Sequence, residues 1–447
     1  MRLGIDLGRA TCVAVLLDHD GRTVADAVVD SRPGTAESVR GVLAELGPVA
    51  SAAESVALVT DLARRPPRPE RVALLRIAPT SHPALAPLAD WPARARAAVD
   101  ALTAVVPGGA MLTGRPPSPL NRAAAAAFAQ RAEEAEISTF AVCAAGAPAE
   151  PGPELDAAAV LADTVPGAAI SLSHELGSVG LRERENATVV NAALGGWAVE
   201  LAAEAARALR SAGLTAPLFF ARDDGGLISA EYFRRHPVIA TVPATTYAAL
   251  GAAARAGVAD AVVVDAGARS VRCLSVVDGT PERSVRPGPG PLGVPMQLGS
   301  PAIHEVGPGV HHTYPEDPRD MAHVTARQLE RLAGAVLLHT GGGAESVGAP
   351  PAAADARARL TDAARFAATS VCRIEFEQLV AAAGRAEFEQ RLATARDRAL
   401  SRVVAAGAAP DTARIESVSH ASVAYLPAGV HRVTVRAVGR PTAGVAV

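Results

Sequence analysis

The chain has 447 residues, of which 49% are hydrophobic and 20% charged, with a formal net charge of -3 at pH 7. That length is too great for one ordinary core and points to two or three domains, and the composition is that of a globular chain rather than a disordered one. A charge so close to neutral supplies no basic field, which argues against a nucleic-acid partner.

There is no lysine, so all 43 basic residues are arginines. This excludes a Schiff-base lysine and a lysine phosphate clamp. Cys12, Cys143, Cys273 and Cys372 lie far apart without a C-x-x-C pair, which argues for reduced thiols over a zinc knuckle or a disulfide framework. The chain enters a strand at once, with no basic leader. No apolar run approaches the roughly 18 residues of a membrane span. A soluble, cytoplasmic protein with no membrane partner is expected.

In chain order, Arg2 to Leu17 reads as a β-hairpin: an apolar strand, the turn Asp6-Leu7-Gly8, a second apolar strand and a closing turn Asp18-His19-Asp20-Gly21. A helix from Ala36 to Leu46 follows, then strands at Val56–Val59 and Arg71–Leu75. The Pro-rich stretches at 65–69 and 115–119 read as surface loops. A βαβ pattern opens at Ala168–Leu172, continues through a helix from Trp197 to Ala212 stopped by Gly213, and leads to the strand Pro217–Phe220. The tight turn Asp223-Asp224-Gly225-Gly226 comes next, then a helix from Tyr247 to Ala256. The segment Ala261 to Gly279 repeats the hairpin of the N-terminus, with Asp265-Ala266-Gly267 at its turn. Pro287 to Pro318 is dense in Gly and Pro and reads as a long loop, either ordered or a partly mobile lid. A helix Val324–Leu332, a strand Ala335–Leu338 and the turn Gly341-Gly342-Gly343 follow. The last hundred residues read as a helical stretch from Asp355 to Ala405 broken near Gly384, then strands at Ser422–Tyr425 and Val430–Val435.

Chemistry concentrates on the duplicated hairpin. An Asp-x-Gly turn lets backbone N–H groups face an anion, because glycine removes the Cβ that blocks approach, and the Asp carboxylate can orient a hydrated Mg²⁺ on the same phosphates. His304, His311, His312 and His323 crowd near Glu305, Glu316, Asp317 and Asp320, which reads either as a metal site or as a solvated surface.

The stretch Ile170-Ser171-Leu172-Ser173-His174-Glu175-Leu176, followed by Arg182-Glu183-Arg184-Glu185-Asn186-Ala187-Thr188-Val189-Val190-Asn191-Ala192-Ala193-Leu194, resembles the hydantoinase/oxoprolinase family. The 223–226 turn, His236-Pro237-Val238, the Gly-Ala-Ala run at Gly251 and the second hairpin follow in the family's order, so the resemblance covers about residues 1–310. It implies an α/β protein with an actin-like ATPase fold: two ribonuclease-H-like lobes with nucleotide between them, here continued by a C-terminal α+β segment. The domains implied are an N-terminal-like domain at 1–165, a hydantoinase A-like core at 166–345 and a helical and strand segment at 346–447. It also implies ATP-dependent hydrolysis of a C–N bond in a cyclic amide, with ATP and Mg as cofactors, and a second subunit or a homo-oligomer as partner.

By that resemblance Asp6 and Asp265 are the candidate catalytic and metal-holding carboxylates. Gly8, Arg9, Gly267, Arg269, Ser270, Gly341, Gly342 and Gly343 are the candidate nucleotide-binding residues. The family's first loop is close to Asp-x-Gly-Gly-Thr-x-x-Asp, and here Arg9, Ala10 and Val13 stand at the second Gly, the Thr and the last Asp. In the second loop, Asp-x-Gly-Gly-Thr-Ser-x-Asp, Ala268, Arg269 and Arg272 replace Gly, Thr and Asp, while Pro243-Ala244-Thr245 stands where a Ser-Gly-Pro element is usual. An added Cβ crowds a phosphate, and a lost hydroxyl and carboxylate remove positioning groups. Arg9 and Arg269 could return positive charge to phosphate. The triple glycine reads equally as an adenosine-contacting turn or a plain strand-to-helix turn. Two functions therefore stand: an ATP-dependent cyclic-amide hydrolase, and a catalytically impaired paralogue acting as a scaffold or regulatory subunit.

Overall fold

Both hairpins form as the alternation predicts. β1 (Arg2–Leu7) pairs antiparallel with β2 (Thr11–Leu17), which continues into β3 (Thr23–Asp30); the turn between β2 and β3 is held by the Asp18 carboxylate, which accepts from the N–H groups of Asp20 and Arg22. The computed structural model describes residues 1–443 apart from 65–66, 80–84, 113–115, 178, 269, 285–287, 307–317, 350–352 and 427–428.

Helix α1 (Thr35–Leu46) leads to β4 (Ser55–Thr60), which lies parallel to β1. A separate four-stranded parallel sheet follows, with β5 (Ala73–Ile77), β6 (Leu102–Val106), β7 (Thr139–Ala144) and β8 (Ala169–Leu172) in the order β6-β5-β7-β8. Its connections carry α2 (Ala93–Val99), α3 (Arg122–Glu134) and α4 (Gly152–Thr164), as parallel strands require. The chain then runs through α5 (Ser173–Leu176), α6 (Leu181–Ala193) and α7 (Gly195–Ser211) to β9 (Leu218–Ala221), β10 (Leu227–Ser229), α8 (Ala230–Arg235) and α9 (Pro243–Ala256). The second hairpin is β11 (Ala261–Ala266) and β12 (Val271–Val277), extended by β13 (Thr280–Pro281).

The Gly- and Pro-rich segment expected as a loop contains β14 (Gly288–Pro289), β15 (Pro295–Met296) and β16 (Ile303–Val306), and β16 joins the second hairpin along β12. After α10 (Pro318–Arg331) and β17 (Val336–Thr340) comes α11 (Ala353–Thr369). The break expected near Gly384 is larger than a kink: β18 (Cys372–Ala381) is a full strand, and α12 (Arg385–Ala405) starts only after it. β19 (Arg414–Ser422) and β20 (Val430–Gly439) close the chain, so the strand expected at Ser422–Tyr425 lies earlier, and Tyr425 stands outside it, exposed to solvent.

These strands make a nine-stranded sheet, β19-β20-β18-β10-β9-β4-β1-β2-β3, and a five-stranded one in which β13-β12-β11-β17 is joined by β16. α11 links them, packing on β1, β2 and β4 on one side and on α9 on the other. Its backbone comes so close that a Cβ on Gly4 would lie 1.8 Å from the carbonyl oxygen of Ala364, so only glycine fits that strand position. Pro237–Ala256 is long and apolar enough by composition to cross a membrane, a run the sequence reading had not recognised. It is a short 3-10 turn followed by α9, whose residues from Thr245 to Ala253 are all buried.

Candidate functional site

The two hairpins bring Asp6 and Asp265 close enough to influence one another's charge, and their registers are equivalent. Asp6 lies opposite Val13 and Asp265 opposite Arg272, each Asp seven residues before its cross-strand partner. Positions 13 and 272 are therefore the same place in the repeated device. Val13 is buried against Ala364 and Ala368 of α11.

Arg272 forms the centre of the site. Its Nη1 donates to Asp61 at 3.1 Å and to the Thr245 hydroxyl at 2.9 Å, and its Nε donates to Glu305 at 3.1 Å. Asp61 follows β4 of the nine-stranded sheet, Thr245 lies in the first turn of α9 and Glu305 on β16, so one guanidinium ties three separate elements together. Only 15% of the Arg272 side chain is exposed, 11% of Asp61 and 5% of Glu305. Burial alone would lower the Arg272 pKa, yet Asp61, Glu305 and Asp265 outweigh it and raise it, so the charge is permanent.

Around this cation lie carboxyl groups with disturbed affinities for protons. Burial, then Asp61 and Asp265, push Asp6 up to about 8 against an opposing effect from Arg64. Asp6 Oδ1 is buried with no hydrogen-bond partner among the described residues. Burial pushes Asp265 up to about 6 although Arg272 and the Thr245 hydroxyl, 3.2 Å from its Oδ2, act the other way. Asp223 is likewise raised to about 7 by burial; its carboxylate accepts from the Val242 N–H at 2.8 Å and the Thr241 hydroxyl at 3.2 Å. Asp61 Oδ1 accepts from Ala244 N–H at 2.9 Å, so two carboxylates anchor the N-terminal end of α9.

The glycines divide. Gly8 and Gly267 sit at the two turns, where the Gly267 N–H is taken by Ser270 O at 3.0 Å and the Gly8 carbonyl accepts from Arg64 Nε at 3.1 Å. Gly341 has φ +82°, and a Cβ there would lie 2.5 Å from Ala266 O and 2.8 Å from Asp265 Oδ1, while Gly343 N–H bonds Ala266 O. Gly341–Gly343 thus back the second hairpin directly. Arg9 is half-buried beside Gly8 with no ion pair among the described residues, and Arg269 lies outside them.

A magnesium–nucleotide complex needs oxygens free to order the metal's water shell and backbone N–H groups free to cradle phosphate. Here Asp61 and Asp265 are engaged by Arg272 and Thr245, and the Gly267 N–H is internally satisfied. A fixed positive charge occupies the position opposite Asp265, and the equivalent position in the first hairpin is apolar core. These residues do not fit the metal. Among the described residues no three His, Cys, Asp or Glu side chains converge to hold one. Of the histidine group, His311, His312, Glu316 and Asp317 lie outside the described residues. His304 contacts Gln328 at 3.2 Å, and Glu305 is the partner of Arg272.

The stretch at 170–194 does a different job. Glu185 pairs with Arg76 of β5 at 2.5 Å, both almost fully buried. Arg184 donates to the Ser173 hydroxyl and the Ala144 carbonyl, and Glu154 accepts from Ser173, the His174 N–H and the His174 ring. Asn186 accepts from the Trp91 indole at 2.7 Å, and Asn191 donates to Ser171 and to the Arg235 carbonyl. These polar groups bolt the parallel sheet to the rest of the molecule.

Sequence reasoning missed Asp61 and Asp223 as members of the site. The available signal was position: a carboxylate just past the C-terminal end of a parallel strand, where ligand crevices of α/β sheets open.

Residues 184–357 match the family model Hydantoinase/oxoprolinase. Among solved structures, the nucleotide-free acetone carboxylase of ATP-dependent acetone carboxylation is similar at TM-score 0.66 and 12% identity, covering 98% of this chain and 87% of that one. An ATP-dependent caprolactamase from Pseudomonas jessenii is similar at TM-score 0.63 and 15% identity, covering 99% and 88%. At such identities the likeness shows a shared mixed α/β fold. No curated protein sequence matches the chain. The family match over 184–357 directly follows the 170–194 segment and spans the second hairpin, so this part of the chain is similar to the hydantoinase/oxoprolinase family.

Proposed function

We propose that this protein is a hydantoinase/oxoprolinase-type component of ATP-dependent cyclic-amide chemistry whose own phosphate cleft no longer turns over Mg-ATP, and that it serves as a scaffold or regulatory subunit. The single observation that carries this reading is Arg272, which bridges Asp61 and Glu305 at 3.1 Å each, opposite Asp265. The strand orders β3-β2-β1-β4 and β13-β12-β11-β17 support two ribonuclease-H-like lobes arranged as in actin-like ATPases. The cleft between them holds an internal cation. Two structural relatives are ATP-dependent, one a carboxylase and one a lactamase, which supports descent from nucleotide-driven chemistry.

A second reading, retained ATP-dependent hydrolysis of a C–N bond, is favoured by Asp6, whose buried, unpartnered Oδ1 still faces Asp61 and Asp265. Phosphate release from Mg-ATP separates the two. The first reading expects none above background, with or without hydantoin or a lactam; a steady rate abolished by Asp265→Asn establishes the second.

A further inference from the structure

Between the 222–224 turn, the 175–180 segment and the face of β18, β19 and β20 lies a cleft of about 800 Å³. Its charges are almost all paired with one another. Arg222 lies 3.1 Å from Asp224, Arg283 contacts Glu375 at 2.5 Å, Arg436 reaches the same Glu375 at 3.1 Å, and Arg432 lies 3.7 Å from Glu377. Glu175 is within 3.6 Å of Arg235. Arg402, near the end of α12, is different: it lines the cleft with no carboxylate within 4 Å among the described residues, its guanidinium stacked 4.3 Å from the centre of the Phe376 ring.

A half-buried guanidinium stacked on an aromatic ring loses water on one face and keeps its N–H edge for a ligand. The matching group is a carboxylate, which takes two parallel N–H bonds. Neutral donors stand in the same cleft: the hydroxyls of Tyr232, Ser417, Ser419 and Thr434 line it and make no hydrogen bond among the described residues. A volume of this size suits a small organic molecule. The other arginines of the cleft each already contact a carboxylate, so Arg402 is the place it offers to a ligand's negative charge.

We propose that this cleft binds a small organic monocarboxylate, with its charge on Arg402 and its neutral body along those hydroxyls. The inference concerns recognition alone and stands whether or not the hairpin cleft handles nucleotide.

The test is ligand-observed NMR titration of the full chain with hippurate and with its neutral amide, hippuramide. The expected result is millimolar or tighter hippurate binding, at least tenfold weaker hippuramide binding, and loss of the difference in Arg402→Gln with its retention in Arg402→Lys. Arg391→Gln, which removes an exposed cation of the same helix outside the cleft, should leave hippurate binding within twofold. Equal affinity for the two compounds, unchanged hippurate binding in Arg402→Gln, or no hippurate binding at 10 mM would each overturn the proposal. A rate of ATP hydrolysis would bear on the hairpin cleft only.

Discussion

The environment of Asp6 strongly favours a proton, because it is buried near Asp61 and Asp265 with one oxygen left without a partner among the described residues. Its folded-state pKa of about 8 lies above the ordinary 3.8, so between those values the native state keeps a proton that the unfolded chain releases. Stability contributed by this group is full below about pH 4 and is lost as pH rises through about 8. Asp6→Asn, which cannot ionise, should therefore gain in melting temperature relative to the natural protein as pH goes from 5 to 8. Parallel melting curves across that range would show that Asp6 ionises freely. Asp223 and Asp265, raised to about 7 and about 6, add to the same downward slope in both proteins. At this scale the sequence was informative about Asp6 and Asp265, since both ends of the duplicated turn survive. It said nothing of Asp61, which lies in no motif and earns its place only through folding.

Among the elements, the legible ones were those whose own pattern reached their neighbours. The hairpins alternate, α7 stops at Gly213, and the Asp18–Gly21 turn closes itself through a side chain. β18 was hidden although it alternates cleanly, with Cys372, Ile374 and Phe376 inward between Arg373, Glu375 and Glu377. It lies between α11 and α12, so a helical reading ran across it. The 170–194 stretch was recognised from its letters, while its physical role needed the structure. Glu185 and Arg76 are buried partners 109 residues apart. Glu185→Ala leaves the Arg76 charge buried and unpaired, which should lower unfolding free energy by about 3–5 kcal/mol in urea titration. Replacing both by leucine should recover most of that loss. A Glu185→Ala cost under about 1 kcal/mol would mean that water reaches Arg76.

Over the whole molecule, the nine-stranded sheet draws strands from residues 2–30, 55–60, 218–229 and 372–439. No local pattern encodes such pairing, and the C-terminal strands join the sheet of the first hairpin through β10 and β18, where Leu227 lies beside Cys372. The same long range explains why Arg272 could be noticed in the sequence as a departure but not understood there. Its partner Asp61 is 211 residues away, after a strand of the other sheet. On the proposed reading, this protein cation stands where a bound one would and fills the cleft without ligand.

That claim meets its most direct test in the melting temperature of the natural protein and of Arg272→Asp, each measured in EDTA, in magnesium and in Mg-ATP. Removing the guanidinium leaves Asp61, Asp265, Glu305 and the new carboxylate facing one another, so the variant should melt lower in EDTA and regain stability when magnesium is added. The natural protein should melt at the same temperature in all three. A rise of several degrees in the natural protein with Mg-ATP would contradict the account, because it would show that metal and nucleotide enter a cleft that Arg272 is said to fill.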